Sequence, residues 1–168
     1  MIDPAPSRTV KIDVAAALNV HALELWDRGA AARLASVLGF DLPPFGRAAG
    51  KNSLLAFGVE PSVWLLDGAA LVPEAIDGVL QDNGALTAVG GGLVRVRLSG
   101  PGWRALLNAD GVFDAENPSF GPGCAASTVI AHVAVRLRVV DAQTCDAYVP
   151  ASYATGLIEG WAEAARSL

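Results

Sequence analysis

The sequence has little cysteine and little charge. Cys124 and Cys145 are the only cysteines in 168 residues, which excludes a disulfide-stapled scaffold and indicates a reducing, cytoplasmic compartment. Charged residues make up 17% of the chain and the formal net charge is −5, which argues against a surface for nucleic acid or for an anionic membrane. No apolar run reaches about 18 residues, so no membrane-spanning helix is predicted.

Motifs for metal, nucleotide or acid–base chemistry are also missing. The soft metal ligands show no CxxC, HxxxH or HExxH spacing; they are His21, His132, Cys124 and Cys145. Gly90 to Gly92 precede a strand, the wrong order for a phosphate cradle, and predict a bulge or tight bend. The acidic candidates are scattered over turns and exposed helix positions: Asp67, Glu74, Asp77 and Glu116. We therefore predict no catalytic, cofactor-binding or metal-binding residue.

The segment FGPGCAAST, residues 120–128, places Cys124 just after a Gly-Pro-Gly corner. A nucleophilic thiol needs a neighbouring base, and His132 is the only candidate. Eight residues of straight strand span about 26 Å, so the two side chains meet only if the strand bends or a second chain intervenes. Cys124 is thus interpreted as a small buried residue. Cys145 alternates with Ala147 and Val149 and is predicted to lie in the core.

Apolar residues are abundant, at 52% of the chain. The length predicts a single domain over residues 1–168 that is large enough to bury a core. Residues 1–12 are more polar and predict an arm or an edge strand. The apolar excess, beyond what alanine and glycine explain, indicates a surface that a partner covers.

Hydrophobic periodicity predicts an α+β fold with a mostly antiparallel sheet and helices packed on one face. We expect a helix over 23–38, a loop over 41–52, two short strands over 53–58 and 62–68, and helices that begin at Pro73 and Pro101. A long strand is predicted from Ala125 to Val140, followed by a hairpin turn over 141–143 and a partner strand.

The last helix is predicted to begin at an N-cap, Ser152. Its apolar side comprises Leu157, Ile158, Trp161, Ala165 and Leu168. Gly156, Gly160 and Ala164 recur every four residues on another side. Because each helical glycine costs about 1 kcal/mol relative to alanine, this smooth stripe indicates close approach to another surface.

Arginines alternate with apolar residues in two predicted strands. Arg95 and Arg97 lie opposite Val94, Val96 and Leu98, while one face of the long strand is predicted to carry His132, Arg136 and Arg138. If both strands belong to one sheet, these five side chains gather opposite the core. The face is then solvated, faces carboxylates of a partner subunit, or binds a small acidic ligand.

The C-terminal two thirds of the chain resembles the gamma subunit of heterotetrameric sarcosine oxidase. The resemblance rests on the order of short motifs: VWLLDG, Ser99-Gly100-Pro101, Phe120, Gly121-Pro122-Gly123-Cys124, Thr128, Ala131-His132, Tyr148-Val149-Pro150, Ser152 and Trp161. Two segments depart from the family pattern. Gly90 to Gly92 stand where the family has polar residues, and Ala151-Ser152-Tyr153 stands where it has Arg-Ser-Phe, which suggests a divergent member with a different amine substrate.

The resemblance implies a fold similar to one domain of the glycine-cleavage T-protein. It also implies an accessory, non-catalytic gamma-type subunit in a complex that oxidatively demethylates N-methyl amino acids or related amines. FAD, FMN, NAD and tetrahydrofolate would then lie on larger partner subunits, and zinc on a small delta-type subunit. This chain would pack chiefly against the alpha-type subunit without a cofactor of its own, and an isolated chain would be able to dimerise through the surface left uncovered.

Two other functions are compatible with the sequence. One is a stand-alone domain that binds a folate-like or other small acidic ligand, which requires a pocket with convergent polar groups. The other is a small one-carbon transferase, which the absence of the acidic and arginine pattern of the folate-binding T-proteins disfavours.

Overall fold

The computed structural model describes residues 9–168, apart from residues 17 and 28. Within them the chain forms four helices: α1 (Gly29–Leu38), α2 (Pro73–Leu80), α3 (Trp103–Ala109) and α4 (Ala151–Ala165). It also forms ten strands: β1 (Lys11–Ala15), β2 (Val20–Leu25), β3 (Ala48–Lys51), β4 (Leu54–Glu60), β5 (Val63–Asp67), β6 (Gly84–Ala88), β7 (Leu93–Ser99), β8 (Ala125–Ile130), β9 (Val133–Asp141) and β10 (Thr144–Pro150).

The strands are divided between two five-stranded antiparallel sheets. Sheet I has the order β1-β7-β10-β9-β8, and sheet II has the order β3-β4-β5-β2-β6. The α+β class and the antiparallel pairing are therefore as predicted, but a single sheet with helices on one face was expected. The edge strand predicted near the N-terminus is present as β1, while residues 1–8 lie outside the described residues.

Each sheet is covered on its outer face by two helices. In sheet I, α3 and α4 bury Trp103, Leu107 and Trp161 against the apolar face of the strands. In sheet II, Leu34 of α1 and Ile76 of α2 pack in a separate core. The two inner faces meet in a third cluster, in which the Phe57 and Tyr148 rings lie 5.0 Å apart.

A tight bend carries the chain from sheet II back to sheet I. Residues Gly90–Gly92 form one turn of 3₁₀ helix between β6 and β7. A Cβ added at Gly90 would lie 1.8 Å from the carbonyl oxygen of Leu18, whereas Gly91 and Gly92 have open space around them. The predicted bend is thus present, and close backbone approach requires glycine at one of its three positions.

The helix expected over 23–38 is wrong in its first part. Residues 20–25 are strand β2, in which Leu23 and Leu25 are buried, and the helix begins at Gly29. The spacing of Leu23 and Trp26 matched a helix, but Trp26 lies between the elements and is largely exposed. The predicted end at residue 38 is confirmed, because Gly39 follows with φ of 80° and donates its N–H to the carbonyl of Ala35.

The long strand expected from Ala125 to Val140 is also wrong. It is a hairpin of β8 and β9, paired from Ala125 opposite Arg138 to Ile130 opposite Val133. Ala131 and His132 form the turn with φ of 46° and 66°, values that usually select glycine or asparagine. Because the pair contains no glycine, asparagine or proline, no recognised turn dipeptide marks the reversal.

Two smaller boundaries also differ from the prediction. The loop expected over 41–52 contains β3, which pairs with β4. The last helix begins at Ala151 after Pro150, without a side-chain cap, so Ser152 lies inside its first turn. Among the described residues, no helix has the length and apolar character needed to span a membrane.

Candidate functional site at the junction of the two sheets

The inner face of sheet I carries two rows of polar side chains. Strand register places Arg97, Asp146 and Arg138 side by side on β7, β10 and β9. Two residues along, Arg95, Tyr148 and Arg136 form the second row. The four arginines thus share the face opposite the apolar core, as alternation along the strands predicts.

Asp146 is the centre of the first row and is fully buried. Arg97 donates to both carboxylate oxygens, from Nε at 2.7 Å and Nη2 at 2.9 Å, and Arg138 donates from Nη2 at 2.6 Å. Burial alone would raise the pKa of Asp146, but the hydrogen bonds from the two arginines hold its pKa below the ordinary value. The carboxylate is therefore charged and satisfied in the neutral pH range.

Asp67 joins the two sheets through the second row. It ends β5 of sheet II, and its Oδ2 accepts from the Tyr148 hydroxyl at 2.6 Å and from Arg95 Nη1 at 3.0 Å. Burial, together with the neighbouring carboxylate, raises the pKa of Tyr148. The phenol therefore keeps its proton and acts as a hydrogen-bond donor that ties sheet I to sheet II.

Arg136 lies in a different environment from the other three arginines. Its nearest carboxylate is Glu60, at 3.6 Å, and both side chains are partly exposed. It borders an apolar groove of about 300 Å³ between the sheets, which Val59, Val63 and Leu65 help to line. An exposed pair of this kind contributes little to stability.

His132 does not lie on the arginine face. It occupies the exposed turn between β8 and β9, so its predicted position beside Arg136 and Arg138 on one straight strand is wrong. Cys124 precedes β8 and His132 follows it, so the whole strand of six residues separates them, about 20 Å in extended conformation. The two side chains do not form a nucleophile–base pair within the chain.

Both cysteines are free thiols and buried. Cys124 lies at the start of sheet I, where Arg47 Nη1 contacts its sulfur at 3.0 Å and the sulfur lies 3.3 Å from the carbonyl of Ser119. Burial raises the pKa of Cys145 to about 12, so that thiol is protonated. The predicted core position of Cys145 and burial of Cys124 are both confirmed.

The residues of the sequence motifs support the architecture around α3 and α4. Gly100, with φ of 118°, lies where a Cβ would meet the carbonyl oxygen of Thr9 at 2.3 Å. Ser99 ends β7 and Pro101 leads into α3. Gly123, with φ of 78°, precedes Cys124 at the start of β8. Phe120, Cys124 and Trp161 belong to the core of sheet I.

Two surface depressions adjoin these features. We call the first the polar cleft: it is about 420 Å³ in volume and is lined by the β3–β4 turn, the end of β5 and the sheet I arginines Arg95 and Arg138. We call the second the α4 groove: it is about 280 Å³ and is lined by Asp110, Ala131, Val133, Tyr153, Gly156, Leu157, Gly160 and Trp161. Trp161 is buried, and its indole N–H has no acceptor among the described residues.

Sequence reasoning missed the carboxylates and the phenol that organise the arginines. Asp146 and Tyr148 alternate with Cys145 and Ala147 on β10, so the predicted hairpin around residues 141–143 would have placed both on the arginine face. The sequence predicts Asp67 among acidic residues scattered over turns and exposed helix positions. Its partner Tyr148 lies 81 residues later in the chain, so no local sequence pattern indicates their contact.

Structural comparison identifies proteins with the same fold. A chain of the heterotetrameric sarcosine oxidase from Corynebacterium sp. U-96, solved in complex with pyrrole 2-carboxylate, matches 97% of this chain over 87% of its own length, with a TM-score of 0.86 and 23% identity. The glycine cleavage system aminomethyltransferase T from Bartonella henselae matches 92% of this chain, with a TM-score of 0.66 and 16% identity.

The chain spans 46% of that aminomethyltransferase, which agrees with the predicted likeness to one part of a T-protein. No protein-family model matches the chain, and the comparison with curated proteins gives no match. At 23% and 16% identity, the likeness to the two solved structures establishes the fold alone. The resemblance to the sarcosine oxidase family that the motifs predicted is thus confirmed at the level of structure.

Proposed function

We propose that this chain is an accessory, non-catalytic gamma-type subunit of a sarcosine-oxidase-like flavoenzyme complex. The observation that carries the proposal is the match to a chain of heterotetrameric sarcosine oxidase over nearly the whole of both chains. The matched chain is therefore close to this one in length, rather than a large subunit of which this fold is one part.

On this proposal, oxidation of the amine takes place on larger partner subunits in the cytoplasm. FAD, FMN, NAD and tetrahydrofolate would be bound there, and the substrate would be an N-methyl amino acid or a related amine. The role of this chain would be to stabilise the assembly, chiefly through contact with the alpha-type subunit.

The outer surface of α4 supports a contact with another chain. A Cβ added at Gly156 or Gly160 would have nothing within 4 Å, so packing within this chain does not explain two glycines that each cost about 1 kcal/mol in a helix. Beside them, Tyr153 is 60% exposed and the buried Trp161 N–H lacks an acceptor. A partner backbone seated in the α4 groove would use the smooth surface beside the exposed Tyr153 ring.

The arginine face provides a second proposed contact at its outer side. Among the described residues, Glu60 is the one carboxylate that contacts Arg136, at 3.6 Å, so Arg136 has hydrogen-bond donors left for a carboxylate of the partner. His132 lies at the tip of the neighbouring turn. Arg95, Arg97 and Arg138, the other members of the predicted partner-facing set, hold Asp67 and Asp146 and would contact a partner only with their remaining N–H groups.

Co-expression of this chain with the flavoprotein subunits encoded beside it tests the proposal. We expect a stable complex whose mass includes this chain and whose absorption spectrum shows bound flavin. Arg136→Glu should weaken co-purification, while Arg33→Glu on the exposed side of α1 should not. A homogeneous monomer that ignores the flavin subunits would overturn the proposal, and unchanged assembly of Arg136→Glu would remove Arg136 from the interface.

A further inference from the structure

We propose that the polar cleft binds a small dianion that carries carboxylate or phosphate groups. The cleft lies where sheet II meets sheet I, and its lining includes the charged side chains of Lys51, Arg95, Arg138 and Asp67. Asn52 and Ser53 complete the rim at the β3–β4 turn. This inference concerns the chain by itself and does not depend on assembly with other subunits.

Positive charge is in excess around the cleft. Three cations and one carboxylate line it, and behind them the buried Asp146 is shared by Arg138 and Arg97. Four cations thus face two carboxylates in a chain whose formal net charge is −5. The imbalance favours a bound anion that supplies the missing negative charge.

Hydrogen-bond donors are also in excess. A guanidinium carries five N–H donors, and Arg138 gives one nitrogen to Asp146 while its Nε is buried without an acceptor among the described residues. Arg95 gives Nη1 to Asp67. A buried donor without an acceptor is costly. The guanidinium of Arg138 therefore has hydrogen-bonding capacity that Asp146 does not use, and its side chain is still 17% exposed toward a ligand.

The groups that would hold the anion are fixed before it binds. Asp146 orients Arg138, and Asp67 orients Arg95 with the help of Tyr148. The rim is equally constrained, because a Cβ at Gly68 would lie 1.9 Å from the carbonyl oxygen of Ser53. Preorganised donors reduce the entropy lost on binding.

The geometry selects the chemical class of the ligand. Planar guanidinium groups match carboxylate and phosphate oxygens, while an ammonium acts as a point charge. Two arginines and one lysine suit a ligand with two negative charges, and about 420 Å³ lies in the range of small-molecule pockets. Asp67 on the same wall disfavours a neutral or cationic ligand.

Calorimetric titration of the full chain at fixed ionic strength tests the site, with succinate in one arm and inorganic phosphate in the other. We expect saturable binding of succinate, of phosphate or of both. The anion that binds more tightly shows whether the cleft prefers a dicarboxylate or a phosphate. Lys51→Gln, at an exposed position, should weaken that binding about tenfold, as loss of one charge-assisted hydrogen bond does. Lys11→Gln, which removes the same charge outside the cleft lining, should leave it unchanged.

Direct observation of the arginines provides a second measurement. The NMR signal of Arg138 Nε–H should shift on addition of the bound anion and should not shift with chloride at the same ionic strength. Absence of saturable binding in both arms, or equal weakening by Lys51→Gln and Lys11→Gln, would overturn the proposal. Neither result would bear on whether the chain assembles with flavin subunits.

Discussion

The sheet junction and the outer surface of α4 differ in whether contacts within the chain account for their unusual residues. At the junction, Asp146 and Asp67 have partners within the chain, and Gly90 is required by a neighbouring backbone. On α4, Gly156 and Gly160 face open space. The contacts at the junction therefore explain how the two sheets hold together, whereas the open α4 surface has no such explanation within the described residues and agrees with the proposed contact with another chain.

Substitution of Asp146 is expected to have the largest effect at the junction. Asp146→Asn leaves the largely buried Arg138 and the partly exposed Arg97 without their counter-charge and should lower the free energy of unfolding by about 3 kcal/mol, the lower end for a broken buried ion pair. Asp13 is the matched control, because it lies opposite the same Arg97 from the other neighbouring strand but is exposed. Asp13→Asn should change stability by no more than about 0.5 kcal/mol in urea unfolding. Equal effects would show that burial does not distinguish the two carboxylates.

Substitution of Gly90 tests whether the backbone of Leu18 lies as close to this bend as described. Gly90→Ala places a Cβ against the Leu18 carbonyl and should cost about 3 kcal/mol, the upper end for overpacking. Gly91→Ala, in the same turn but open to solvent, should stay within about 0.5 kcal/mol of the parent. Thermal unfolding of the pair measures the contrast, and a Gly90→Ala protein as stable as Gly91→Ala would contradict the described bend.

The lowered pKa of Asp146 predicts a loss of stability in acid. Because the folded-state pKa lies below the unfolded value of about 4, the ion pairs contribute fully above about pH 4 and the contribution disappears as the pH falls through the folded-state pKa. The free energy of unfolding should therefore fall less between pH 7 and pH 3 in Asp146→Asn than in the parent or in Asp13→Asn. Parallel pH profiles for all three proteins would argue against the charged state of Asp146.

The smallest effect is expected on α4, and it has the opposite sign. Gly156→Ala and Gly160→Ala should each stabilise the isolated chain by up to about 1 kcal/mol, since the added methyl group meets nothing and helix propensity improves. Urea midpoints of the single variants measure the gain. Destabilisation would show that the α4 surface is covered within the chain itself.

The sequence predicted the parts of the fold that depend on local signals. The helix that begins at Pro73, the helix after Pro101 (which begins two residues later than predicted, at Trp103), the two short strands near residue 60, the hairpin around residue 142 and the two faces of β7 follow from helix starts, turns and alternation. The β8–β9 reversal was missed because Ala131 and His132 adopt left-handed conformations in a turn that contains neither glycine nor asparagine. Division of the strands into two sheets was also beyond local signals, since strand pairing is decided by contacts between segments distant in the sequence.

The sequence predicted the arginines of the candidate site but not the carboxylates and the phenol that bind them. Alternation placed four arginines on one face, but their interpretation as solvated, partner-facing or bound to a small acidic ligand omitted a fourth possibility, namely a second sheet of the same chain. That sheet supplies Asp67 to Arg95 and Tyr148. Such pairings depend on tertiary packing over long sequence separations, which periodicity within a strand does not report.

The most direct test of the account is whether the open surface of α4 binds a larger flavoprotein subunit. Gly160→Leu adds bulk to this surface, and Gly78→Leu adds the same bulk to an equally open position on α2. Circular dichroism should first show that both variants are folded. Co-purification with the flavin subunits should then be lost for Gly160→Leu and retained for Gly78→Leu. Retention of the full, flavin-containing complex by Gly160→Leu would contradict the proposed contact.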